Sequence, residues 1–327
     1  LAFPILDPVL EDRLRGRLVD VEEAMLGHVE SEAPFVTKAA RHLMEAGGKR
    51  FRPLLCFLAA ESGSAVDVDR VLTAACVVEL THLASLYHDD VMDEAALRRG
   101  AESANARWDN HVAILTGDFL FAKSSELTAD LGPDAVRIQA RTFSRLVEGQ
   151  ILETLGPGAE DDPLEHYLRV VAGKTGSLIA TSARYGAMFS GASDEVVEAL
   201  TEYGERVGVA FQLSDDILDI ASESEVSGKT PGTDLREGVP TLPVLFAQRS
   251  TDPADARLLA LLAGDLTDDD LHGEALVLLR AHPAMAEARA YVVGEAAAAK
   301  ELLAALPPGS VRTALEAFAD VVADRSS

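Results

Sequence analysis

Apolar residues recur along the chain at spacings of three and four. Segments with strict alternation or β-branched enrichment are hard to find, so the pattern predicts a nearly all-helical protein. The longest clean patterns run over 66–95, 112–131, 134–154, 163–190 and 194–221, with breaks at 155–162 and 222–240. Helix punctuation agrees: Asp7-Pro8 opens a segment, Gly47-Gly48 closes one, Gly132-Pro133-Asp134 separates two, and Pro307-Pro308-Gly309 precedes the last. About a dozen helices of ordinary length result. No Pro-, Ser- or Gly-rich linker divides the chain, and a single domain over residues 1–327 is expected.

Two of these helices are apolar nearly all round, which places them centrally. The first carries Val71, Leu72, Ala75, Val77, Val78, Leu80, Leu83, Ala84 and Leu86; the second carries Val207, Val209, Ala210, Phe211, Leu213, Ile217 and Leu218. Each ends in a carboxylate cluster of the same form, DDxxD: Asp89-Asp90-Val91-Met92-Asp93 and, 126 positions later, Asp215-Asp216-Ile217-Leu218-Asp219. The first and last Asp of each are four apart and share a helix face, about 5–6 Å from one another. They repel, they add to the negative end of the helix dipole, and no lysine stands within the cluster. A cation is required, and Mg²⁺, which takes oxygen ligands and bridges to phosphates, suits this spacing. One such cluster alone reads equally as a solvated face; two, each on an unusually apolar helix, do not.

Composition narrows the function. At 48% hydrophobic and 25% charged residues the 327-residue chain is an ordinary folded protein with room for a large core. Its formal charge of −25 opposes binding to a nucleic-acid backbone or an anionic membrane surface. Cys56 and Cys76 lie in apolar stretches and read as buried thiols, which fits a reducing cytoplasm. There is neither a secretory leader pattern at the start nor an uninterrupted apolar run of about 18 residues, so no stable membrane insertion is expected.

In a chain this acidic, grouped cations must stand beside something more negative still. Gly47-Gly48-Lys49-Arg50-Phe51-Arg52-Pro53 places several at a helix start, Arg98-Arg99-Gly100 follows the first acidic cluster, and Lys174-Thr175-Gly176 and Gly228-Lys229 flank the second in sequence. With Mg²⁺ they imply diphosphate substrates. His82 lies seven residues before Asp89 on the same face. His88 and His111 read as structural. Gln150, Glu153 and Gln212 read either as polar groups lining the cavity or as ordinary helix–helix bonds.

These residues resemble the trans-isoprenyl diphosphate synthases, or polyprenyl synthetases. The resemblance rests on GGKRFRP at 47–53, HLASLYHDDVMDEAALRRG at 82–100, GD at 117–118, GQ at 149–150, KTG at 174–176, FQLSDDILD at 211–219 and GKTPGTDLREGVPTLP at 228–243. It implies an all-α bundle of the class I terpenoid synthase type, a deep central cavity with the two aspartate motifs facing each other, three Mg²⁺ ions per site and a homodimer. Carried over by motif, Asp89, Asp93 and Asp215 are the direct Mg²⁺ ligands, with Asp90, Asp216 and Asp219 completing the shell. Lys49, Arg52, His82 and Arg99 hold the diphosphate of isopentenyl diphosphate. Arg98, Lys174, Thr175, Gln212 and Lys229 address the allylic diphosphate, Lys174 counting among the catalytic groups. One departure stands out: Val239 occupies a position where the family often has lysine, with Lys229 or Arg236 as possible substitutes.

Family members with short products carry bulky residues four or five positions before the first Asp. Ala84 and Ser85, with Thr81 a turn further back, therefore imply a hexaprenyl to decaprenyl product of the quinone side-chain type. A bulky group elsewhere, such as Phe119, Phe121 or Phe143, would instead close the tunnel at a farnesyl or geranylgeranyl product. The rivals are a class I terpene cyclase, a non-catalytic subunit of a heteromeric synthase, and a helical interaction protein whose acidic clusters only bind cations. A cyclase has no need of GGKRFRP; a non-catalytic subunit tends to lose one motif; an interaction protein leaves the basic sites unexplained.

Overall fold

The structure, a computed structural model, describes residues 5–222 and 231–325. They pack as two compact units, the first formed by residues 5–143, 178–204 and 305–315, the second by 144–177, 205–304 and 316–325. The all-helical expectation is borne out. The helices are α1 Pro8–His28, α2 Pro34–Glu45, α3 Phe51–Ala60, α4 Val68–Met92, α5 Ala104–Arg107, α6 Asn110–Asp130, α7 Pro133–Leu155, α8 Pro163–Val171, α9 Ser177–Phe189, α10 Asp194–Ala221, α11 Thr233–Arg236, α12 Leu242–Ala247, α13 Ala256–Leu262, α14 Asp269–Ala281, α15 Ala284–Leu302 and α16 Ser310–Asp324. A two-residue antiparallel pair, Leu97–Arg98 with Ala101–Glu102, follows α4.

The first unit is built around α4. Val71, Ala75, Val77, Val78, Leu80, Leu83, Ala84 and Tyr87 are all buried, and the Tyr87 hydroxyl donates to the Ala39 carbonyl at 2.5 Å, fixing α4 against α2. Helix α6 comes close enough that a Cβ on Gly117 would stand 2.3 Å from His88 Nε2, so any larger residue there would displace that ring. Among the described residues α4 alone is long and apolar enough to cross a membrane, yet 67% of its most apolar window is buried inside the protein, as in a core helix. In the second unit Val207, Ala210, Leu213, Ile217 and Ile220 of α10 form the buried stripe.

The structure departs from the sequence pattern at two places that matter. Helix α4 ends at Met92 rather than running to 95, because Asp93 caps it and Glu94 turns through φ 49° into the hairpin. The helix expected over 163–190 is broken by one π-helical turn, Ala172–Gly176, which contains Lys174 and Thr175. A π turn adds a residue per turn and re-aims its side chains. Two glycines permit it: a Cβ on Gly149 would stand 2.6 Å from the Lys174 nitrogen, and one on Gly173 would stand 2.9 Å from the Arg145 carbonyl.

Candidate active site

In the first unit the last turn of α4 separates its three aspartates. Asp93 is exposed and Asp89 half-buried, whereas Asp90 is fully buried and accepts a 2.6 Å hydrogen bond from Arg98 Nε. Burial raises the Asp90 pKa above the ordinary carboxylate range, with the Arg98 cation opposing it. Arg98 also comes within 3.9 Å of Asp93. The residue expected on the allylic diphosphate thus pairs with the acidic cluster itself. The second Asp90 oxygen is buried without a partner among the described residues.

Beside this cluster the GGKRFRP segment brings cations to the start of α3, a helix with no acidic residue in its first turn and no side-chain cap. That is the reverse of what a helix dipole favours. The residues of the segment divide by task. Arg50, in a left-handed backbone conformation at φ 47°, is buried and bonds to both Glu22 and Glu79, to Glu79 at 3.1 Å, and to the Met44 carbonyl at 3.0 Å. Burial alone would lower its pKa, but the two carboxylates overcome this and raise it. Arg52 has less relief: its Nε is buried without a partner among the described residues, and burial, aided by the Arg99 cation and only partly opposed by Glu79, pushes its pKa down to about 10. Arg99, at φ 55°, holds the carbonyls of Leu43 (3.1 Å) and Gly47. Burial lowers its pKa too. A Cβ on Gly48 would lie 2.8 Å from the guanidinium groups of both Arg50 and Arg99, so glycine makes room for the pair.

Burial, then the cations Arg52, Arg99, Arg50 and Arg98, hold His82 well below the usual imidazole range, leaving it neutral near pH 7. The structure therefore brings Arg52, His82 and Arg99 together, with Lys49 exposed on the loop beside them. Arg50, one of the grouped cations of the motif, and Glu79, which no motif marks, pair beside them.

The second unit carries its own set. Lys174, on the π turn, pairs with Glu153 of α7 at 2.6 Å. Thr175 donates to Gln212 at 3.0 Å, Gln212 donates to Asp216 at 2.9 Å, and the Tyr167 hydroxyl donates to the other Asp216 oxygen. Asp216 is buried, which raises its pKa to about 7 against the pull of the Tyr167 hydrogen bond. Asp215 pairs with Arg325 at 2.8 Å, and the Arg325 guanidinium lies 4.5 Å from the centre of the Phe211 ring. Asp219 accepts from the Asp234 amide at 3.2 Å. Gln150 Oε1 is buried without a partner among the described residues. Arg236, one candidate to replace the lysine absent at Val239, is held by Asp269 at 2.8 Å and the Thr267 carbonyl at 3.0 Å. The other candidate, Lys229, lies outside the described residues. Tyr167 and Arg325 had no motif to announce them, and Asp234 sits within the motif at 228–243 without having been singled out.

Among the described residues no three His, Cys, Asp or Glu side chains converge in a metal-sized group. Asp90 pairs with Arg98 and Asp215 with Arg325. The donor set nonetheless fits a hard dication. It consists of carboxylate oxygens one turn apart on α4 and on α10, and a guanidinium already stands against Asp215.

Comparison with known proteins agrees with this chemistry. The polyprenyl synthetase family matches residues 33–278. A nonaprenyl diphosphate synthase of Mycobacterium tuberculosis is 52% identical over 98% of this chain and 95% of its own length, and a dimethylallyltranstransferase of the same organism is 40% identical over 98% and 97%. Among solved structures, the geranylgeranyl pyrophosphate synthase of Corynebacterium glutamicum, complexed with calcium and isoprenyl diphosphate, superposes with a TM-score of 0.89 at 46% identity, covering 99% of both chains. A decaprenyl diphosphate synthase of Rhodobacter capsulatus gives 0.86 at 35% identity over 97% of this chain and 98% of its own. The chain belongs to the polyprenyl synthetase family and is a trans-prenyltransferase of that family.

Proposed function

We propose that the protein condenses isopentenyl diphosphate head-to-tail with an allylic diphosphate to make an all-trans polyprenyl diphosphate of hexaprenyl to decaprenyl length. The observation that carries this reading is the crowd of desolvated cations at the start of α3, where Arg52 and Arg99 stand beside a neutral His82 with one buried carboxylate, Glu79, to balance them. Such a group is relieved by an anion. Lys49, Arg52 and Arg99 supply charge to the diphosphate of isopentenyl diphosphate, and His82 supplies a neutral N–H.

Lys174, Thr175 and Gln212, with Lys229 and Arg98, receive the allylic diphosphate. Asp89, Asp93 and Asp215 would ligate Mg²⁺, with Asp219 supporting them and Asp90 and Asp216 holding neighbouring groups in place from within the protein. Bound Mg²⁺ supplies positive charge against the diphosphate as it departs. Donors fixed in advance on the π turn and α10 stabilise the same developing charge. The allylic C–O bond ionises, and the apolar residues of α4 keep water from the resulting carbocation. Held by its own phosphate site, the alkene of isopentenyl diphosphate attacks that carbon, and the departed diphosphate takes the proton released.

The family match spanning residues 33–278 supports one catalytic domain over the whole chain. Exposed Ile114 and Leu115 on α6 favour a second copy as partner, and the two buried thiols favour the cytoplasm. Incubation with Mg²⁺, isopentenyl diphosphate and allylic starters of several lengths, followed by product sizing, tests the reading; no elongation with any starter overturns it.

Product length has a rival reading within the same site. In the first unit the Phe121 and Phe143 rings lie 4.5 Å apart and His88 packs on Phe121 at 5.6 Å, an aromatic group able to stop a chain at geranylgeranyl length. The relative that is 52% identical makes the longer reading the stronger one. Of the length-setting candidates, Thr81 is buried in bonds to Ser124 and Gln139, each 2.7 Å, and Ala84 is fully buried. A phenylalanine at Ala84 would overpack the core by about 1–3 kcal/mol. Ser85 is only half-buried. Ser85→Phe is therefore expected to shorten the product without unfolding the protein, and an unchanged chromatographic profile would show that this wall does not set the length.

A further inference from the structure

We propose that Tyr167 is a positioning residue for the allylic diphosphate, acting through Asp216 to fix which way the Gln212 amide points. The inference rests on the assignment of Thr175 and Gln212 to that substrate. Tyr167 belongs to α8 and is buried, with its oxygen against the backbone N–H of Leu242 at the start of α12. Its hydroxyl donates to one oxygen of the buried Asp216 on α10, whose other oxygen accepts from Gln212 Nε2 at 2.9 Å. Gln212 Oε1 in turn accepts from the Thr175 hydroxyl at 3.0 Å.

The bonds run one way: both Asp216 oxygens accept, one from the Tyr167 hydroxyl and the other from the Gln212 amide N–H, which turns the amide oxygen to Thr175. One N–H of Gln212 then remains for a phosphate oxygen. The reverse orientation would present a carbonyl oxygen to an anion. Nothing within Gln212 chooses between the two, since the amide is nearly symmetric in shape. The choice is made by Asp216, and Tyr167 holds the Asp216 carboxylate in the plane that makes it. The π turn has a matching role, since it sets Thr175 opposite the amide oxygen.

The test is a double-mutant cycle read by binding rather than by turnover. Affinity is measured calorimetrically, in Mg²⁺, for a non-ionising allylic thiolodiphosphate and separately for isopentenyl diphosphate. Tyr167→Phe and Thr175→Val are each expected to weaken the allylic analogue by about tenfold. Because they act through one amide, the double variant should lose little beyond either alone. Affinity for isopentenyl diphosphate should stay within about twofold, a split that general loosening of the fold would not produce.

Losses that multiply in the double variant, an unchanged allylic affinity, or an equal loss for isopentenyl diphosphate would overturn the relay and leave the Thr175 and Gln212 assignment standing. A wild-type protein that does not bind the allylic analogue would overturn that assignment, and the relay with it. If Tyr167→Phe does not fold, the same cycle is run with the isosteric Asp216→Asn against Thr175→Val, where coupling is again expected and its absence is decisive.

Discussion

Asp89→Ala and Asp93→Ala are each expected to lower turnover by about a thousandfold or more while leaving the helical circular dichroism unchanged. The size follows from what the two carboxylates are placed to do: they end the core helix α4 one turn apart, Asp89 half-buried and Asp93 exposed. The lack of structural damage follows from the same placement. Two negative charges at the negative end of a helix oppose its dipole, so removing one costs the fold little and can stabilise it by a few tenths of a kcal/mol. Asp90→Ala is a different experiment. It removes the partner of Arg98 from a fully buried position, and loss of activity there would be accompanied by loss of stability. Near-normal turnover in either Asp89→Ala or Asp93→Ala would remove that residue from the catalytic machinery.

The contrast between neighbouring aspartates was written in the sequence for anyone following the stripe. Leu83, Tyr87 and Asp90 share one face of α4, and Leu213, Asp216 and Ile220 share one face of α10, and all six are buried. Helix ends were equally legible where a residue forces the backbone: Asp7 caps α1 with bonds to the Val9 and Leu10 amides, and Gly47 and Gly48 turn at φ 90° and 149°. Hydrophobic spacing could not register the π turn at Ala172–Gly176, because one inserted residue between two amphipathic segments leaves each of their patterns intact. Nor could it separate Arg50 from Arg52, two cations in one motif, since the carboxylates that distinguish them come from Glu22 and Glu79, on other helices. Long-range partners of this kind, Tyr167 on Asp216 and Arg325 on Asp215 included, carry no local signal.

Those two arginines give the sharpest test of the diphosphate site. Arg52→Leu is expected to raise KM for isopentenyl diphosphate by about a hundredfold, the value of a desolvated charge-assisted contact, with a much smaller change in kcat. The same substitution should leave the melting temperature unchanged or higher, because the guanidinium it removes is held in the folded state at a cost. The sign follows from the pKa: at about 10, below that of a free guanidinium, the folded protein holds this proton more weakly than the unfolded chain does. The charged group therefore subtracts from stability at every pH below about 10, and that penalty fades as the pH rises through the folded value. In the same alkaline range isopentenyl diphosphate should bind less well to the wild type, and the loss should be smaller in Arg52→Leu, where only the other cations of the site remain to titrate. Arg50→Leu, two residues away, should do the opposite. It leaves Glu79 buried without its cation, a loss of about 3–5 kcal/mol that thermal unfolding would read directly. Equal destabilisation by the two substitutions would mean that Arg52 is held by the fold like Arg50, and the crowd of cations at the start of α3 would no longer mark an anion site.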